Sequence, residues 1–361
     1  MIKMTKALIA MSGGVDSSVA AKLMKDNGYD CIGCTMKLHS NDVESEIDSH
    51  TCCTLEDVED ARSVAFGLGI PYYVFNFSEG FKEKVIDKFV ASYEQGKTPN
   101  PCIDCNHYLK FEKLLMRAHE LGCDYLVTGH YAQIEYDGEK YLLKKAADET
   151  KDQSYVLYLL TQEQLAHTLF PLGGMTKKQV RKLAVQHGFV NAEKAESQDI
   201  CFVPDGDYPS FIRAYTGKEY LEGAFIDTNG AIVGTHHGII NYTVGQRKGL
   251  GIALGKPVYV QKIDAVTNTV TICEQQDLYS STLIASDFNW IAGCAPQTAC
   301  ACKAKVRYRQ QEKAATAIPL EDGTVKVVFD EPLSAIALGQ AVVLYDGDVV
   351  LGGGTIVSVG E

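Results

Sequence analysis

Ala7-Leu8-Ile9-Ala10-Met11-Ser12-Gly13-Gly14-Val15-Asp16-Ser17-Ser18 passes from an unbroken apolar run into a polar turn built on two glycines. The apolar run reads as a short buried strand ending at Met11. The glycines let the backbone turn tightly with its N–H groups facing inward. Helical spacing then begins with Val15, Val19 and Leu23. Asp16, Ser17 and Ser18 therefore fall in a first helical turn, where unsatisfied N–H groups favour an anion such as phosphate. The chain has no lysine-bearing GxxxxGK[ST] loop, which disfavours a kinase or GTPase.

At 361 residues the chain is long enough for two or three domains. An apolar content of 46% and a charged content of 22% are ordinary for a soluble protein. No apolar run approaches the roughly 20 residues of a membrane span, and Met1-Ile-Lys-Met-Thr-Lys leads into the first strand without a signal segment. The expectation is a cytoplasmic protein with no membrane partner. Twelve cysteines are too few for a disulfide scaffold of this length, so in a reducing compartment they read as reactive, metal-binding or buried. The net charge of −12 does not point to a nucleic-acid binder, but phosphate contact is decided by local patches.

Strand-like and helix-like runs alternate over the first 200 or so residues. After the first strand and helix come Cys31–Met36, a helical stretch over 55–68, the strand Tyr72–Phe75, helices over 81–93 and 108–121, and the strand Tyr125–Thr128. The alternation predicts a doubly wound parallel sheet with helices on both faces. Sites in such sheets lie beyond the strand carboxyl ends, where Met11, Met36 and Thr128-Gly129-His130 would converge. A helix starting near Thr176 carries Lys177, Lys178, Arg181 and Lys182, read as a solvated basic face. Past Pro204, glycine-rich turns and short β runs take over, with hairpin signals at Asn229-Gly230, Asp322-Gly323 and Asp346-Gly347. The expected division is an α/β domain over 1–205, a small central mixed α/β module over 206–277 and an antiparallel β-barrel over 278–361.

Thr98-Pro-Asn-Pro-Cys102-Ile-Asp-Cys105-Asn106 holds a CxxC between prolines and a helix expected from Tyr108, which reads as a rigid loop. A thiol near a helix N-terminus is favoured as thiolate. Cys201, in Ser197-Gln-Asp-Ile-Cys-Phe202, is the third loop cysteine. Three readings stand: a zinc or iron–sulfur site built from Cys102, Cys105 and Cys201; a redox or sulfur-carrying pair, Cys105 and Cys201; or small buried residues. The last is preferred for Cys31, Cys34, Cys123, Cys273, Cys294, Cys300 and Cys302, and Cys52-Cys53 is left undecided.

SGGVDSS at 12–18 resembles the pyrophosphate loop of the ATP pyrophosphatase superfamily, whose members activate an oxygen as its adenylate and release pyrophosphate. TPNPCIDCN, TGHY at 128–131, KDQSY at 151–155, SQDICF, YTVGQRKGLGI at 242–252 and VRYRQ at 306–310 follow it in one order along the chain. Together these segments resemble the tRNA-specific 2-thiouridylase family, which thiolates the first anticodon uridine. The resemblance implies that Ala10, Met11, Ser12, Gly13, Gly14, Val15, Asp16, Ser17, Met36 and Gly129 hold ATP with Mg²⁺. It implies Cys201 as the persulfide carrier and Cys105 as partner nucleophile, with Asn100, Pro101 and Cys102 facing the target base. Lys151, Asp152, Gln153, Arg307 and Tyr308 would touch the tRNA, and a cysteine desulfurase or relay protein would supply sulfur. Some family members have an aspartate, proposed for proton transfer, where this chain has Cys102; Asp104 is the nearest carboxylate, and the proton-transfer group is unassigned. Two alternatives stand beside this reading: an iron–sulfur-dependent tRNA thiolase using the same cysteines, and a pyrophosphate-loop ligase adenylating a small molecule.

Overall fold

Ala7, Leu8 and Ile9 are wholly buried because they form the central strand, β1 (Lys6–Ala10), of a parallel sheet. The computed structural model describes residues 4–39, 55–194, 200–203 and 205–360. In chain order, β1 is followed by β2 (Asp30–Lys37), β3 (Tyr72–Asn76), β4 (Tyr125–Val127), the hairpin β5 (Gln133–Tyr136) and β6 (Tyr141–Lys144), and β7 (Thr168–Leu169). The sheet runs β3-β2-β1-β4-β7, every neighbouring pair parallel. Its order reverses between β1 and β4, which is where a doubly wound sheet opens a crevice.

The period of two along β1 divides the core. Ala7 and Ile9 pack with Ala21, Met24, Ala61 and Val64 of the helices Val15–Asp26 and Leu55–Leu68. Leu8 faces the opposite side, where Phe81, Phe89, Leu109, Phe111 and Leu114 gather. Full burial of a side chain such as Leu8 stabilises by roughly 1.5–3 kcal/mol. The second layer contains two long helices, each interrupted by a wider π segment: Ser78–Phe81, Lys82–Ile86 and Asp87–Glu94, then Pro101–Asp104, Cys105–Leu114 and Leu115–Glu120. Such π segments are rare and concentrate at functional sites.

The helix expected from Tyr108 in fact starts at Pro101, so the CxxC lies on a helix and not on a loop. A proline without an N–H is well suited to the first helical position, and Asn100 caps it by accepting from the Cys102 amide at 3.2 Å. The prolines thus set a helix start where the sequence reading took them as a bar to one.

The helix Tyr208–Thr216 precedes a four-stranded sheet, order β10-β11-β8-β9, made of β8 (Gly223–Ile226), β9 (Ile232–His236), β10 (Tyr259–Asp264) and β11 (Thr269–Cys273). Six antiparallel strands then close on themselves: β12 (Tyr279–Trp290), β13 (Cys300–Lys305), β14 (Lys313–Pro319), β15 (Val325–Ser334), β16 (Ala341–Asp346) and β17 (Val349–Gly360). The ring order is β12-β15-β14-β13-β16-β17, closed by β12 against β17. Val325, Val327 and Phe329 point into its core with Val342, Leu344 and Ile356. The β5–β6 hairpin of the first lobe extends this sheet through Val349 opposite Lys144. No helix among the described residues is long and apolar enough to cross a membrane.

Candidate active site

The turn after β1 is held rigid from three directions. Gly13 adopts φ +75°, a conformation that L side chains rarely take. The Asn191 side chain donates to the Gly13 carbonyl at 2.7 Å and to Ser18 Oγ at 2.9 Å. Ser17 Oγ accepts from the Ser12 amide at 3.1 Å and donates to the Gly14 carbonyl at 3.0 Å. On the β2 side, Thr35 Oγ1 donates to the Met11 carbonyl at 2.5 Å. Gly129 approaches so closely that a Cβ there would lie 2.9 Å from the Ser17 amide nitrogen.

A cavity of about 230 Å³ opens over this turn at the sheet's switch point. Of the ten residues that the resemblance assigns to ATP, Ala10, Met11, Ser12, Asp16, Ser17, Met36 and Gly129 line it, whereas Gly13, Gly14 and Val15 shape the turn behind it. Cys34, Thr35, Lys110, Thr128, His130 and Gln153 complete the wall. A second cavity of about 290 Å³, lined by Lys22, His187 and neighbours, is larger but includes none of the loop residues.

His130, expected at the converging strand ends, lines the main cavity with Lys110, and Lys177 stands behind its loop; the sequence reading assigned neither lysine to the site. Lys177 Nζ lies 2.8 Å from both carboxylate oxygens of Asp16, and Tyr131 Oη donates to the same carboxylate at 2.8 Å. Lys110 Nζ is 3.5 Å from His130 Nε2, and Thr128 Oγ1 is 2.7 Å from His130 Nδ1. Burial, with Lys110 adding to it, holds His130 well below the usual imidazole pKa. The neutral ring accepts from the ammonium at Nε2, so its proton sits on Nδ1 and is donated to Thr128. Lysines spaced this far from the loop carry no local sequence signal; only the TGHY motif marked that strand end.

The cysteines fall into two groups. Cys31, Cys34, Cys123 and Cys273 are buried, and burial raises all four thiol pKa values, those of Cys31 and Cys273 to about 11. Cys300 and Cys302 are half-buried with raised pKa values, the latter about 12. Such thiols stay protonated and inert. Cys294, expected to be buried, is instead exposed because it sits in the turn between β12 and β13. Cys102 is exposed, and Cys105 and Cys201 are half-buried against one apolar cluster.

One helix connects the two candidate cysteine segments. Lys88, in Asp87–Glu94, pairs with Asp104 at 2.6 Å, and its neighbour Phe89 packs edge-on against Phe202 at 5.1 Å. Asp104 is nevertheless raised in pKa, because burial outweighs the opposing pull of Lys88. Among the described residues no three His, Cys, Asp or Glu side chains gather as a metal-ligand set, Cys102, Cys105 and Cys201 included. Cys52-Cys53 and Ser197-Gln198-Asp199 lie outside the described residues.

The five residues assigned to tRNA occupy different settings. Asp152 accepts from the Ala146 and Ser154 amides at 3.0 and 3.2 Å and from Ser154 Oγ at 2.8 Å. Gln153 exchanges hydrogen bonds with the Tyr131 backbone and lines the cavity. Lys151 is half-buried on the same turn. Arg307 lies in a turn after β13, and its Nη2 donates to the carbonyls of Val244 and Ala335 at 2.9 and 2.8 Å. The Tyr308 hydroxyl has its pKa raised by burial, then by the nearby Asp152 and Cys102. Close by, the Gln340 side chain and the Leu338 carbonyl hold the backbone of Thr98 against the barrel.

A doubly wound sheet with a glycine turn at its switch point, an acid in the following first turn and a closed barrel beyond it make this a multidomain α/β protein with an appended β-barrel. A family model described as the tRNA methyl transferase HUP domain matches residues 5–205. Models described as the tRNA methyl transferase PRC-barrel domain and the aminomethyltransferase beta-barrel domain match residues 209–274 and 280–356. The tRNA-specific 2-thiouridylase MnmA of Acetivibrio thermocellus is 53% identical over 354 residues, 97% of this chain and 99% of that protein. Its counterpart in Clostridioides difficile is 51% identical over 353 residues, 97% of this chain and 98% of that protein. The chain belongs to the tRNA-specific 2-thiouridylase family.

Proposed function

We propose that this protein uses ATP to replace the carbon-2 oxygen of the wobble uridine of tRNA with sulfur. The observation that carries the reading is one helix serving two purposes. Cys102 and Cys105 stand in its first turns, and Lys110, five positions beyond Cys105 on the same helix, lines the cavity over the phosphate loop. The uridine oxygen attacks the α-phosphorus and pyrophosphate leaves, so that a poor leaving group becomes AMP. The terminal sulfur of a Cys201 persulfide then forms the bond to carbon-2 as the bond to AMP breaks, either directly or after release as hydrosulfide. Cys105 takes the remaining sulfur link and leaves a Cys105–Cys201 disulfide, which an external thiol must reduce before the next cycle.

Each group in the cavity has a part in this sequence. The inward N–H groups of the turn beyond Ser12 hold phosphate oxygens, while Lys110 faces the developing charge at the α-phosphate. Asp16, the one carboxylate among the lining residues, suits a Mg²⁺ ion bound through a single acid plus substrate phosphates, whose chemistry is to neutralise the leaving pyrophosphate. Asn100 and Pro101 fix the helix start beside the base, and Tyr308 offers an aromatic face for stacking, with Lys151 toward the phosphates. Asp152 and Arg307 support that surface from behind, and Gln153 serves the nucleotide. The partners in this reading are tRNA and a cysteine desulfurase or sulfur-relay protein, met in the cytoplasm.

The test is incubation with unmodified tRNA, ATP, Mg²⁺ and a persulfide-generating desulfurase, followed by nucleoside mass spectrometry. A 2-thiouridine product that requires ATP is expected. Cys201→Ser should abolish the product while leaving ATP binding intact; full activity in that variant refutes the sulfur route. ATP turnover indifferent to tRNA would favour a small-molecule ligase instead.

A further inference from the structure

The barrel turn that carries Arg307 and Tyr308 stands on two stems, Lys305 at the end of β13 and Glu312 just ahead of β14. Both stems are ion-paired with the α/β lobe. Glu312 lies 2.6 Å from the ammonium of Lys145, which also donates to the Gly347 carbonyl at 2.7 Å. Lys305 sits between two carboxylates, 4.0 Å from Asp152 and 3.9 Å from Glu312, too far to be hydrogen-bonded to either. The side chains of Lys145, Lys305, Asp152 and Glu312 are only 5–20% exposed. The buried Tyr345 ring carries both ammonium groups over its face, at 4.7 and 5.4 Å, and its hydroxyl stands 3.4 Å from Ser154 Oγ, which donates to Asp152. A buried ion pair is often no more stabilising than apolar side chains of similar volume, so stability alone does not explain this cluster. The best-attested use of such groups is to fix the register of one element on another. Here Lys145 and Asp152 bracket the segment leading to Gln153, whose side chain accepts from the Tyr131 amide at 2.9 Å and lines the nucleotide cavity. The barrel turn and that wall of the cavity thus hang on one set of charges.

We propose that Lys305 and Glu312 are positioning residues that couple the two substrates: RNA seated on the barrel turn tightens the hold on ATP, and ATP tightens the hold on RNA by the same factor. Lys305 is the element with two settings, closing either on Glu312 within its own hairpin or on Asp152 across the joint. RNA held by the turn draws its stems toward the lobe, and closure of Lys305 on Asp152 locks Gln153 in the cavity wall. Nucleotide resting against Gln153 favours the same setting from the other side, so each ligand has a differential contact with it. Neither Lys305 nor Glu312 lines the cavity; both act through Asp152 and Gln153.

This inference rests on the function proposed above, and the experiment separates the two. The affinity of the full-length protein for the α,β-methylene analogue of ATP, which cannot be cleaved at the reacting bond, is measured by calorimetry with Mg²⁺, with and without saturating unmodified tRNA. In wild type the tRNA should raise that affinity by about fivefold or more, the lower end of the usual coupling between sites. Lys305→Met should abolish the tRNA effect and leave the affinity without tRNA near that of wild type, and Lys305→Arg should keep the effect. A merely structural role lowers the melting temperature with the tRNA effect intact, and that result overturns the proposal, as does a wild type whose nucleotide affinity ignores tRNA. Should Lys305→Met fail to fold, Lys305→Met/Glu312→Gln, which leaves Lys145 and Asp152 in balance, takes its place; a tRNA effect of wild-type size in it overturns the proposal as well. A folded wild type that fails to bind the nucleotide or the tRNA overturns the function proposed above and this inference with it.

Discussion

Gly13 and Gly14 are adjacent, both belong to the phosphate turn, and the structure assigns them opposite tolerance to a single methyl group. At Gly13 the backbone has φ +75°, and an added Cβ would sit 2.3 Å from the Asp57 carbonyl oxygen and 2.7 Å from Asp57 Cα. The left-handed conformation costs an L residue roughly 1–2 kcal/mol, and forcing backbone apart in a packed region adds about 1–3 kcal/mol. Asp57 has little freedom to yield, because Lys194 ties it and Asp60 at 2.8 and 2.6 Å. Gly13→Ala should therefore lose about 2–5 kcal/mol. At Gly14, φ is −86° and the nearest atom to a new Cβ is Ser12 Oγ at 3.5 Å, an ordinary contact. Gly14 is the N-cap, where exchange for alanine costs at most about 1 kcal/mol. Scanning calorimetry with and without ATP measures both variants: Gly13→Ala should lower the transition of the α/β lobe and lose its ATP-induced shift, and Gly14→Ala should stay near wild type. Equal destabilisation of the two would refute the argument that the Asp57 contact and the left-handed backbone set the turn.

Two further predictions concern protonation and the joint with the barrel. The folded pKa of His130 is depressed below its unfolded value of about 6.5. Its contribution to stability is thus complete above pH 6.5 and is lost as pH falls toward the folded pKa, because the unfolded chain binds the proton first. His130→Gln should reduce the slope of stability against pH below 6.5 by about one proton, leaving the part due to His107 and His236, whose pKa values burial also lowers; an unchanged slope in urea titrations would refute this. Arg307→Ala removes two charge-assisted hydrogen bonds to Val244 and Ala335 and should cost about 2–3 kcal/mol. Amide exchange should accelerate around 243–246 and the KM for tRNA should rise while that for ATP holds; unaltered exchange would show that the joint does not depend on this arginine.

What the sequence made legible was local. The strands at 7–10, 31–36, 72–75 and 125–127, the helix Leu55–Leu68 and the helix capped by Thr176 each carry a period and a stop signal within a few residues. The convergence of Met11, Met36 and Gly129 followed from the rule that strand carboxyl ends share one edge. Long-range pairing was not legible. Lys177 looked like one of four solvated cations on a basic helix, since nothing near it announces that Asp16, 161 positions away, is its partner. The Arg-Tyr-Arg pattern reads as a solvated face, and only the hydrogen bonds of Arg307 to the Val244 and Ala335 carbonyls show that its guanidinium faces inward. Pro101 was misread for the opposite reason: its signal was strong, but a proline marks a helix start as well as a helix stop, and the Asn100 cap decides between them.

The pairing of β6 with β17 bears on how the chain is made. Lys144 leaves the ribosome roughly 200 residues before Val349, its partner across the sheet. At 5–20 residues per second, translation leaves that strand edge open for roughly 10–40 s. An open edge is a template for pairing with another chain. The Tyr155 hydroxyl likewise waits for the Ala341 carbonyl, and the Thr98 amide for that of Leu338. Synthesis of the α/β lobe is therefore not its completion: the last strands to emerge cover the open edge of its β5–β6 hairpin and fix the loop that leads into the CxxC helix, so chains cut short before the barrel should expose a sticky edge and fall to aggregation or proteolysis.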